Sequence, residues 1–160
     1  MLIRGREVIV DQCDEHLLAA HDWVIRGSGR RENRHLEYVG FIPQPGSVVL
    51  LHRLITNCPD HLEVDHKDGN GLNNSRQNLR VCTHLQNLQN RRKHCKSSSV
   101  YKGVYWESAK GRWRTQIVVN GKKIRKYWSS ESDAARHYDE LAAQHFGEFA
   151  RLNFSEEMAA

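Results

Sequence analysis

The stretch from Val64 to Asn90 constrains the chain most, because it sets an acid, a histidine and two asparagines at fixed intervals. An Asp65-His66 pair follows a short apolar run, and Asn78 and Asn87 come later at wide spacing. A carboxylate and an amide oxygen can hold a hard cation. A neutral imidazole can take a proton from an attacking water. Side chains of these types that meet in space predict metal-assisted hydrolysis of a phosphodiester bond.

Local patterns predict the backbone that carries these residues. Residues 62–64 are expected to form a strand that delivers Asp65 and His66 to its end. Residues 68–71 read Asp-Gly-Asn-Gly, which cannot continue a strand and forms a loop. Residues 79–82 are short, apolar and β-branched, and we expect them to form the second strand of a pair.

A helix is predicted to follow the second strand. Thr83 and Gln86 fit the capping-box pattern, in which the threonine bonds forward and the glutamine bonds back. Leu85 and Leu88, three residues apart, are expected to face the core. Asn87 lies one turn into the helix, so its amide can point back at the strand end. The predicted unit is strand–loop–strand–helix, with a metal between strand and helix.

This order of residues resembles the His-Asn-His (HNH) nuclease family, in the branch found in phage and intron-encoded homing endonucleases. There an Asp-His pair precedes a central asparagine in an Asn-Leu context and a third asparagine on the helix. The resemblance covers roughly residues 5–95. It implies that Asp65 and Asn87 are metal ligands, that His66 is the general base, and that Asn78 pins the loop and orients the histidine. It also implies a ββα-metal fold, Mg²⁺ (or Mn²⁺) as cofactor and double-stranded DNA as substrate.

The residues before this stretch predict a small β-rich module over 1–50. Val8 to Val10 form a β-branched run, and residues 16–21 are expected to form a short helix capped by Asp14. Further strands are expected at 23–25 and 38–42.

Several features of this half have two interpretations. His52, inside an apolar strand-to-helix segment at 48–55, is either a ligand or a packed structural residue, and the second is favoured. The loop arginines either contact a DNA backbone or are simply solvated; they are Arg26, Arg30, Arg31 and Arg34. The four cysteines are too scattered for a zinc knuckle, so reduced thiols are favoured over a mixed Cys–His zinc site.

Positive charge is concentrated between Arg91 and Lys126, although the chain as a whole carries only +5. Arg91, Arg92 and Lys93 open a basic linker that we expect to cross a DNA backbone. Residues 97–130 hold eight lysines and arginines against one acidic residue, and residues 131–160 hold two against seven. A stripe of this kind favours a polyanionic partner.

Residues 100–154 predict a second module of three strands and one helix. In the strand at 112–119, Arg112, Arg114 and Gln116 share one face, and Trp113, Thr115 and Ile117 share the other. An Asn-Gly hairpin at 120–121 leads into a third strand, in which Ile124 faces in and Lys123 and Arg125 face out. A helix begins at Ser130 or Ser132, ends at Gly147 and carries an apolar stripe. The basic face suits a sheet laid in a DNA major groove.

This module resembles the APETALA-type domain of plant ethylene-response factors. The matching residues are Tyr101-Lys102-Gly103-Val104, Trp113, Ile117, Ala134-Ala135, Tyr138-Asp139 and Leu152-Asn153-Phe154. The resemblance implies DNA contacts at Lys102, Gly103, Gln116, Lys123 and Arg125. Base preference does not carry over, because Glu107 replaces the usual arginine and the segment at 126–128 is one residue shorter. Trp113 and Trp128 are expected in the core, and Trp106 remains open.

The sequence therefore predicts an α+β chain with three parts. They are a β-rich module at 1–50, an HNH ββα-metal core at 51–95, and an APETALA-type domain at 96–154 with a three-stranded antiparallel sheet plus one helix.

The predicted function is that of a site-selective, Mg²⁺-dependent DNA endonuclease of the homing type. It is expected to act as a monomer, without a membrane, in the cytoplasm of a bacterial host or a phage-infected cell. The alternative is a DNA-binding transcriptional regulator on a non-catalytic HNH scaffold. A third possibility, an RNA-binding ribosomal-type protein, fits the charge but does not require the Asp-His-Asn set.

Overall fold

The computed structural model describes residues 1–27, 37–93 and 97–154. It is a mixed α/β architecture of small sheets and few helices, divided into two compact units, Met1–Asn87 and Leu88–Ala160. Among the described residues, no helix is long and apolar enough to cross a membrane. Part of the predicted arginine loop and one cysteine lie outside the described residues; they are Arg30, Arg31, Arg34 and Cys95.

The first unit is built from short strands and helices. In chain order they are β1 (Leu2–Ile3), β2 (Arg6–Glu7), α1 (Glu15–Ala19), β3 (Val24–Gly27), β4 (Glu37–Phe41), β5 (Val49–Leu50), α2 (Leu51–Thr56), β6 (Glu63–His66), β7 (Leu79–Cys82) and α3 (His84–Asn90). All the strand pairs are antiparallel: β1 with β2, β3 with β4, β4 with β5, and β6 with β7. The predicted strand-to-helix segment at 48–55 and the order β6–loop–β7–α3 are both present.

The core of this unit is centred on Val8, Val39 and Leu51, which are fully buried. Residues 8–10 nevertheless do not form the predicted strand. The amide of Ile9 bonds to the carbonyl of Leu72, and the carbonyl of Ile9 accepts from the amide of Asn74. The partner segment is the loop between β6 and β7, so only one bridge forms and no ladder extends.

The predicted cap of α1 is also wrong. The helix runs from Glu15 to Ala19, shorter than predicted, and the Asp14 side chain makes no cap hydrogen bond in the described structure. Its carboxylate instead accepts two bonds from Arg76, from Nη2 at 2.6 Å and from Nε at 2.8 Å. A cap bond would join the carboxylate to one neutral amide, whereas the guanidinium makes two bonds between opposite charges, so the distant arginine prevails.

The capping box of α3 is confirmed. The amide of Thr83 donates to Oε1 of Gln86 at 2.8 Å, and the amide of Gln86 donates to Oγ1 of Thr83 at 3.3 Å. The two bonds fix where the helix begins.

The core-facing prediction for the two leucines of α3 is wrong. Leu85 is 71% exposed and Leu88 is 42% exposed. The helix instead turns His84 and Asn87 towards Glu63 of β6, and both bond to that carboxylate. Because residues 84 and 87 share one face of a helix, positions 85 and 88 are turned away from β6.

The second unit contains a three-stranded antiparallel sheet in the order β10-β9-β8, followed by a helix. Its elements are β8 (Val104–Glu107), β9 (Arg112–Val119), β10 (Lys122–Trp128) and α4 (Glu131–Phe146). The predicted Asn-Gly turn has positive φ at both residues, +50° and +75°. Ser130 caps α4 by accepting from the amide of Asp133, and Gly147 ends it.

Residues of one sheet face pack on α4 as the alternation predicted. Val104, Thr115 and Ile117 are buried, and Oγ1 of Thr115 donates to the carbonyl of Ala134 at 2.6 Å. Trp113 and Trp128 are half-buried against the Val104 cluster, which confirms their core packing. Trp106 meets the edge of the Trp113 ring at 5.1 Å and stays 43% exposed.

Candidate active site

Asp65 lies in β6 and is 5% exposed. Its cross-strand partner in β7 is Arg80. Both Nε and Nη2 of Arg80 donate to Oδ2 of Asp65, at 2.9 and 2.6 Å. A buried carboxylate is costly without such a partner, so Arg80 offsets the cost of burying Asp65.

Asn87 approaches the same strand from α3. Its Nδ2 donates to Oε2 of Glu63 at 2.6 Å, while Nδ1 of His84 bonds to Oε1 of Glu63 at 2.8 Å. Glu63 and Asp65 are two residues apart in a strand, so their side chains leave β6 on the same side. The fold therefore brings the two predicted metal ligands, Asp65 and Asn87, to one side of β6.

His66 points to the opposite side of β6 and is 5% exposed. Its Nε2 lies 3.4 Å from Oδ1 of Asn74, whose own amide nitrogen donates to the carbonyl of Gly71. Because that donation turns the Asn74 oxygen towards the ring, Nε2 of His66 carries the hydrogen and Nδ1 keeps a lone pair.

Burial lowers the pKa of His66 below its ordinary value, which favours the neutral ring. The hydrogen bond to Asn74 and the charges of Asp68 and Asp65 act in the other direction. A neutral imidazole has the form that a general base requires.

Two aromatic side chains form the wall behind His66. The ring of His52 meets it edge-on at 5.0 Å between centroids, and the ring of Tyr38 lies at 6.0 Å. His52 is 5% exposed, so it is packed, as favoured from the sequence, but its Nδ1 has no hydrogen-bond partner among the described residues. Burial lowers the pKa of His52 to about 3.

Asn78 pins the loop that follows His66. Its Nδ2 donates to Oδ1 of Asp68 at 3.0 Å and to the carbonyl of Asn73 at 2.8 Å, and its Oδ1 accepts from the amide of Asp68. The loop-pinning predicted for Asn78 matches these bonds. Nε2 of His66 lies within hydrogen-bond distance of Oδ1 of Asn74, and the orienting role of Asn78 stays a prediction.

The donors beside β6 suit a hard cation. They are the carboxylate of Asp65 and the amide oxygen of Asn87, both of the oxygen type that Mg²⁺ prefers. Within residues 1–27, 37–93 and 97–154, no three His, Cys, Asp or Glu side chains converge on a metal position. A cation at this place would therefore take most of its ligands from water and from a substrate phosphate, as is usual for Mg²⁺.

The predicted DNA-contact residues of the second unit fall into two groups. Gln116 and Arg125 are cross-strand partners on the outer sheet face, where Nε of Arg125 donates to Oε1 of Gln116 at 2.8 Å. The same face carries Arg114, which bonds to Glu107 at 2.6 Å. Two further basic side chains of these strands, Arg112 and Lys123, are exposed.

Lys102 and Gly103 are engaged inside the unit. The Lys102 amine donates to the carbonyl of Gln89, and burial lowers its pKa to about 8. Gly103 has φ +75°, and a Cβ there would overlap the ring of Tyr138. In the linker, Arg91 and Arg92 are exposed and Lys93 is half-buried.

Sequence reasoning missed three residues around the site: Glu63, Asn74 and Arg80. Glu63 carried a usable signal, because period-2 alternation places it on the side of Asp65. Arg80 needed the register of β6 with β7, and Asn74 needed the folded loop. Neither of those two has a signal in the local sequence.

Comparison with known proteins finds a family for one segment of the chain. Residues 49–89 match the family model described as HNH endonuclease. This segment is an HNH endonuclease domain, and it contains Asp65, His66, Asn78 and Asn87. The class of protein predicted for this part of the chain is thereby confirmed.

Two curated relatives come from viruses. An uncharacterized HNH endonuclease of Acanthamoeba polyphaga mimivirus is 36% identical over 110 residues, covering 64% of this chain and 56% of the relative. Protein 3.8 of Escherichia phage T7 is 32% identical over 65 residues, covering 41% of this chain and 54% of the relative. The chain thus spans about half the length of the curated relatives it matches. No solved structure matches. The APETALA-type resemblance of residues 96–154 gains no support from these comparisons and stays a prediction.

Proposed function

We propose that this protein is a site-selective endonuclease of the homing type that hydrolyses phosphodiester bonds in double-stranded DNA with Mg²⁺ or Mn²⁺. The observation that carries the proposal is the setting of His66 inside the HNH domain. The ring is buried, its pKa is lowered, and Oδ1 of Asn74 lies within hydrogen-bond distance of its Nε2. These are the properties of a base, whereas a residue that only fills space does not need a fixed tautomer.

In this proposal each site residue has a distinct task. His66 accepts a proton at Nδ1 from the attacking water. Asp65 and Asn87 would hold the cation from one side of β6, and Arg80 orients the Asp65 carboxylate. Asn78 keeps the loop after His66 in place. The cation, when bound, stabilises the negative charge that develops on the leaving oxygen.

Recognition of the target is assigned to the second unit, as an APETALA-type domain. Its outer sheet face presents Arg112, Arg114, Gln116, Lys123 and Arg125, of which Arg125 and Gln116 already form a bonded pair suited to reading a base edge. Arg91, Arg92 and Lys93 bind phosphates, which add affinity without sequence information. Lys102 and Gly103 contribute by shaping the start of β8.

One chain has one such site, so a monomer cuts one strand in each binding event. The setting proposed is the cytoplasm of a bacterial host or a phage-infected cell, which the relative from Escherichia phage T7 supports.

Nicking of supercoiled plasmid in the presence of Mg²⁺ or Mn²⁺ tests the proposal. His66→Ala should lower the nicking rate by about 10² to 10⁴, which is the usual contribution of a positioned general base. DNA binding, measured by fluorescence anisotropy, should stay at the wild-type level.

His61→Ala is the matched control, because His61 is an exposed histidine of the same unit. It should nick at the wild-type rate. A wild-type chain that binds duplex DNA but does not nick it with either cation would refute the nuclease and favour the non-catalytic regulator. A His66→Ala variant with the wild-type rate would remove His66 from the mechanism.

A further inference from the structure

Glu63 bonds to two side chains of α3 and has no role in the function proposed above. Its Oε1 lies 2.8 Å from Nδ1 of His84, and its Oε2 accepts from Nδ2 of Asn87 at 2.6 Å. The Glu63 side chain is 39% exposed, so it is only partly removed from solvent.

The contact with Glu63 determines which way the Asn87 amide faces. An ionised carboxylate can only accept hydrogen bonds, and an amide offers an NH₂ group on one side and an oxygen on the other. The amide group of Asn87 must therefore turn its NH₂ group to Glu63. Its Oδ1 is then directed away from Glu63.

The orientation matters because only the amide oxygen can bind a hard cation. An Asn87 amide with no partner would place NH₂ or oxygen towards the cation with similar ease. A fixed orientation removes this ambiguity before the cation arrives, which is how residues that bond to metal ligands raise affinity.

We propose that Glu63 is a positioning residue that fixes the Asn87 amide so that Oδ1 faces the cation site on the Asp65 side of β6. This inference rests on the proposed function, since it takes Asn87 as a cation ligand. Glu63 acts through Asn87 and need not touch the cation.

A pair of substitutions separates this role from a simple effect of charge. Glu63→Gln and Glu63→Met both remove the negative charge and keep the side-chain length. Only glutamine retains an oxygen that can accept from Nδ2 of Asn87. The difference between the two variants therefore reports the accepted hydrogen bond alone.

The measurement is Mn²⁺ binding to the full chain without DNA, followed by the electron paramagnetic resonance signal of free Mn²⁺. Glu63→Met should bind Mn²⁺ about 10-fold or more weakly than Glu63→Gln, within the range of about 10–100-fold seen when a residue holding a metal ligand is lost. His84→Ala removes the other partner of Glu63 and should bind Mn²⁺ like the wild type.

A readout in the metal-free chain accompanies this titration. The side-chain NH₂ resonance of Asn87 in ¹⁵N spectra should show slowed exchange with water in the wild type and in Glu63→Gln. That protection should be lost in Glu63→Met. Thermal unfolding of all variants, with transitions as cooperative as that of the wild type, verifies that each of them folds.

The outcomes distinguish this inference from the proposed function. Equal Mn²⁺ affinity and equal NH₂ protection in the two Glu63 variants would overturn the role of Glu63, while a loss of binding in Asn87→Ala would leave the proposed ligands intact. If Asn87→Ala bound Mn²⁺ like the wild type, or the wild type bound none, both the ligand assignment and the inference would fail.

Discussion

Single side chains set the chemistry on each side of β6. Arg80 neutralises the buried Asp65 on one side, and Asn74 holds one nitrogen of His66 on the other. Both are polar contacts in a poorly solvated place, where a missing partner costs more than in water. The site therefore depends on Arg80 and Asn74, which the sequence did not predict, as much as on the predicted Asp65 and His66.

His52 provides a test of this burial through pH. Its pKa is about 3 in the folded chain, because burial disfavours the charged ring, and about 6.5 in the unfolded chain. Between these values the unfolded state binds the extra proton, so the free energy of unfolding falls as the pH falls. We expect a loss of about 1.4 kcal/mol for each pH unit below 6.5, or roughly 2–3 kcal/mol by pH 4.5.

Urea unfolding of the wild type and of His52→Leu from pH 7 to pH 4.5 measures this effect. The variant should lose less stability over the range, by roughly that amount. His61→Leu, at an exposed histidine, should follow the wild-type curve. Parallel curves for the wild type and His52→Leu would show that the folded chain protonates His52 easily.

At the scale of elements, two of the helices are placed by contacts that differ in kind. The rotation of α3 follows from polar bonds to Glu63, which leaves Leu85 exposed. The position of α4 follows from apolar packing, with Ala134, Ala135 and Tyr138 buried on the inner face of the sheet. Close approach of α4 to the start of β8 requires Gly103.

Gly103→Ala should therefore destabilise the second unit strongly. The position has φ +75°, and a methyl group there would overlap the Tyr138 ring. A left-handed backbone costs an alanine roughly 1–2 kcal/mol, and forcing extra volume into a packed contact costs about 1–3 kcal/mol more.

Gly111→Ala is the matched control, with φ +57° and open space around the added carbon. It should show only the backbone cost of about 1–2 kcal/mol. Chemical denaturation of both variants measures the backbone cost and the cost of the overlap with Tyr138 separately. Equal losses would show that Tyr138 moves aside without cost.

At the scale of the whole molecule, the distribution of charge indicates which part of the chain binds DNA. Residues 1–90 hold ten lysines and arginines against eleven acidic residues, while residues 97–130 hold eight against one. This part of the chain is thus close to neutral, and DNA affinity is expected to reside in the second unit. Neutralised phosphates release counterions, so such affinity weakens steeply with salt.

A fragment of residues 88–160 should fold alone, because it contains the complete three-stranded sheet with its covering helix and retains Gln89 as partner of Lys102. It should bind duplex DNA with an affinity that falls steeply between low and physiological salt. In the fragment, Lys123→Ala should lower the salt slope by about one and weaken all sequences alike. Arg125→Ala should cost about 1–3 kcal/mol and relax preference at one position.

Anisotropy titrations at several salt concentrations, against the target and a scrambled duplex, measure these slopes. A fragment of residues 1–96, which keeps α3 whole, should retain cation-dependent nicking without choice of site. If it nicked at the same site as the full chain, the reader would lie in the first unit.

The sequence by itself determined the features that depend on neighbouring residues. The capping box of Thr83 and Gln86, the Asn-Gly hairpin, the alternation along β9 and the apolar stripe of α4 all follow from periodicity or from bonds that span a few positions. The Asp-His pair and its two asparagines also identified the HNH class, since their order and spacing are read directly from the chain.

Only the tertiary structure decided which partner each polar side chain takes. Three pairs show this. Asp65 pairs with Arg80, which is 15 residues away in the sequence. Asn87 pairs with Glu63 across 24 residues, and Asp14 pairs with Arg76 across 62 residues. Such pairs depend on strand register and helix rotation, which local propensity does not encode. The same reason explains the exposed Leu85 and Leu88 and the missing strand at residues 8–10, because in each case a distant segment supplied the stronger contact.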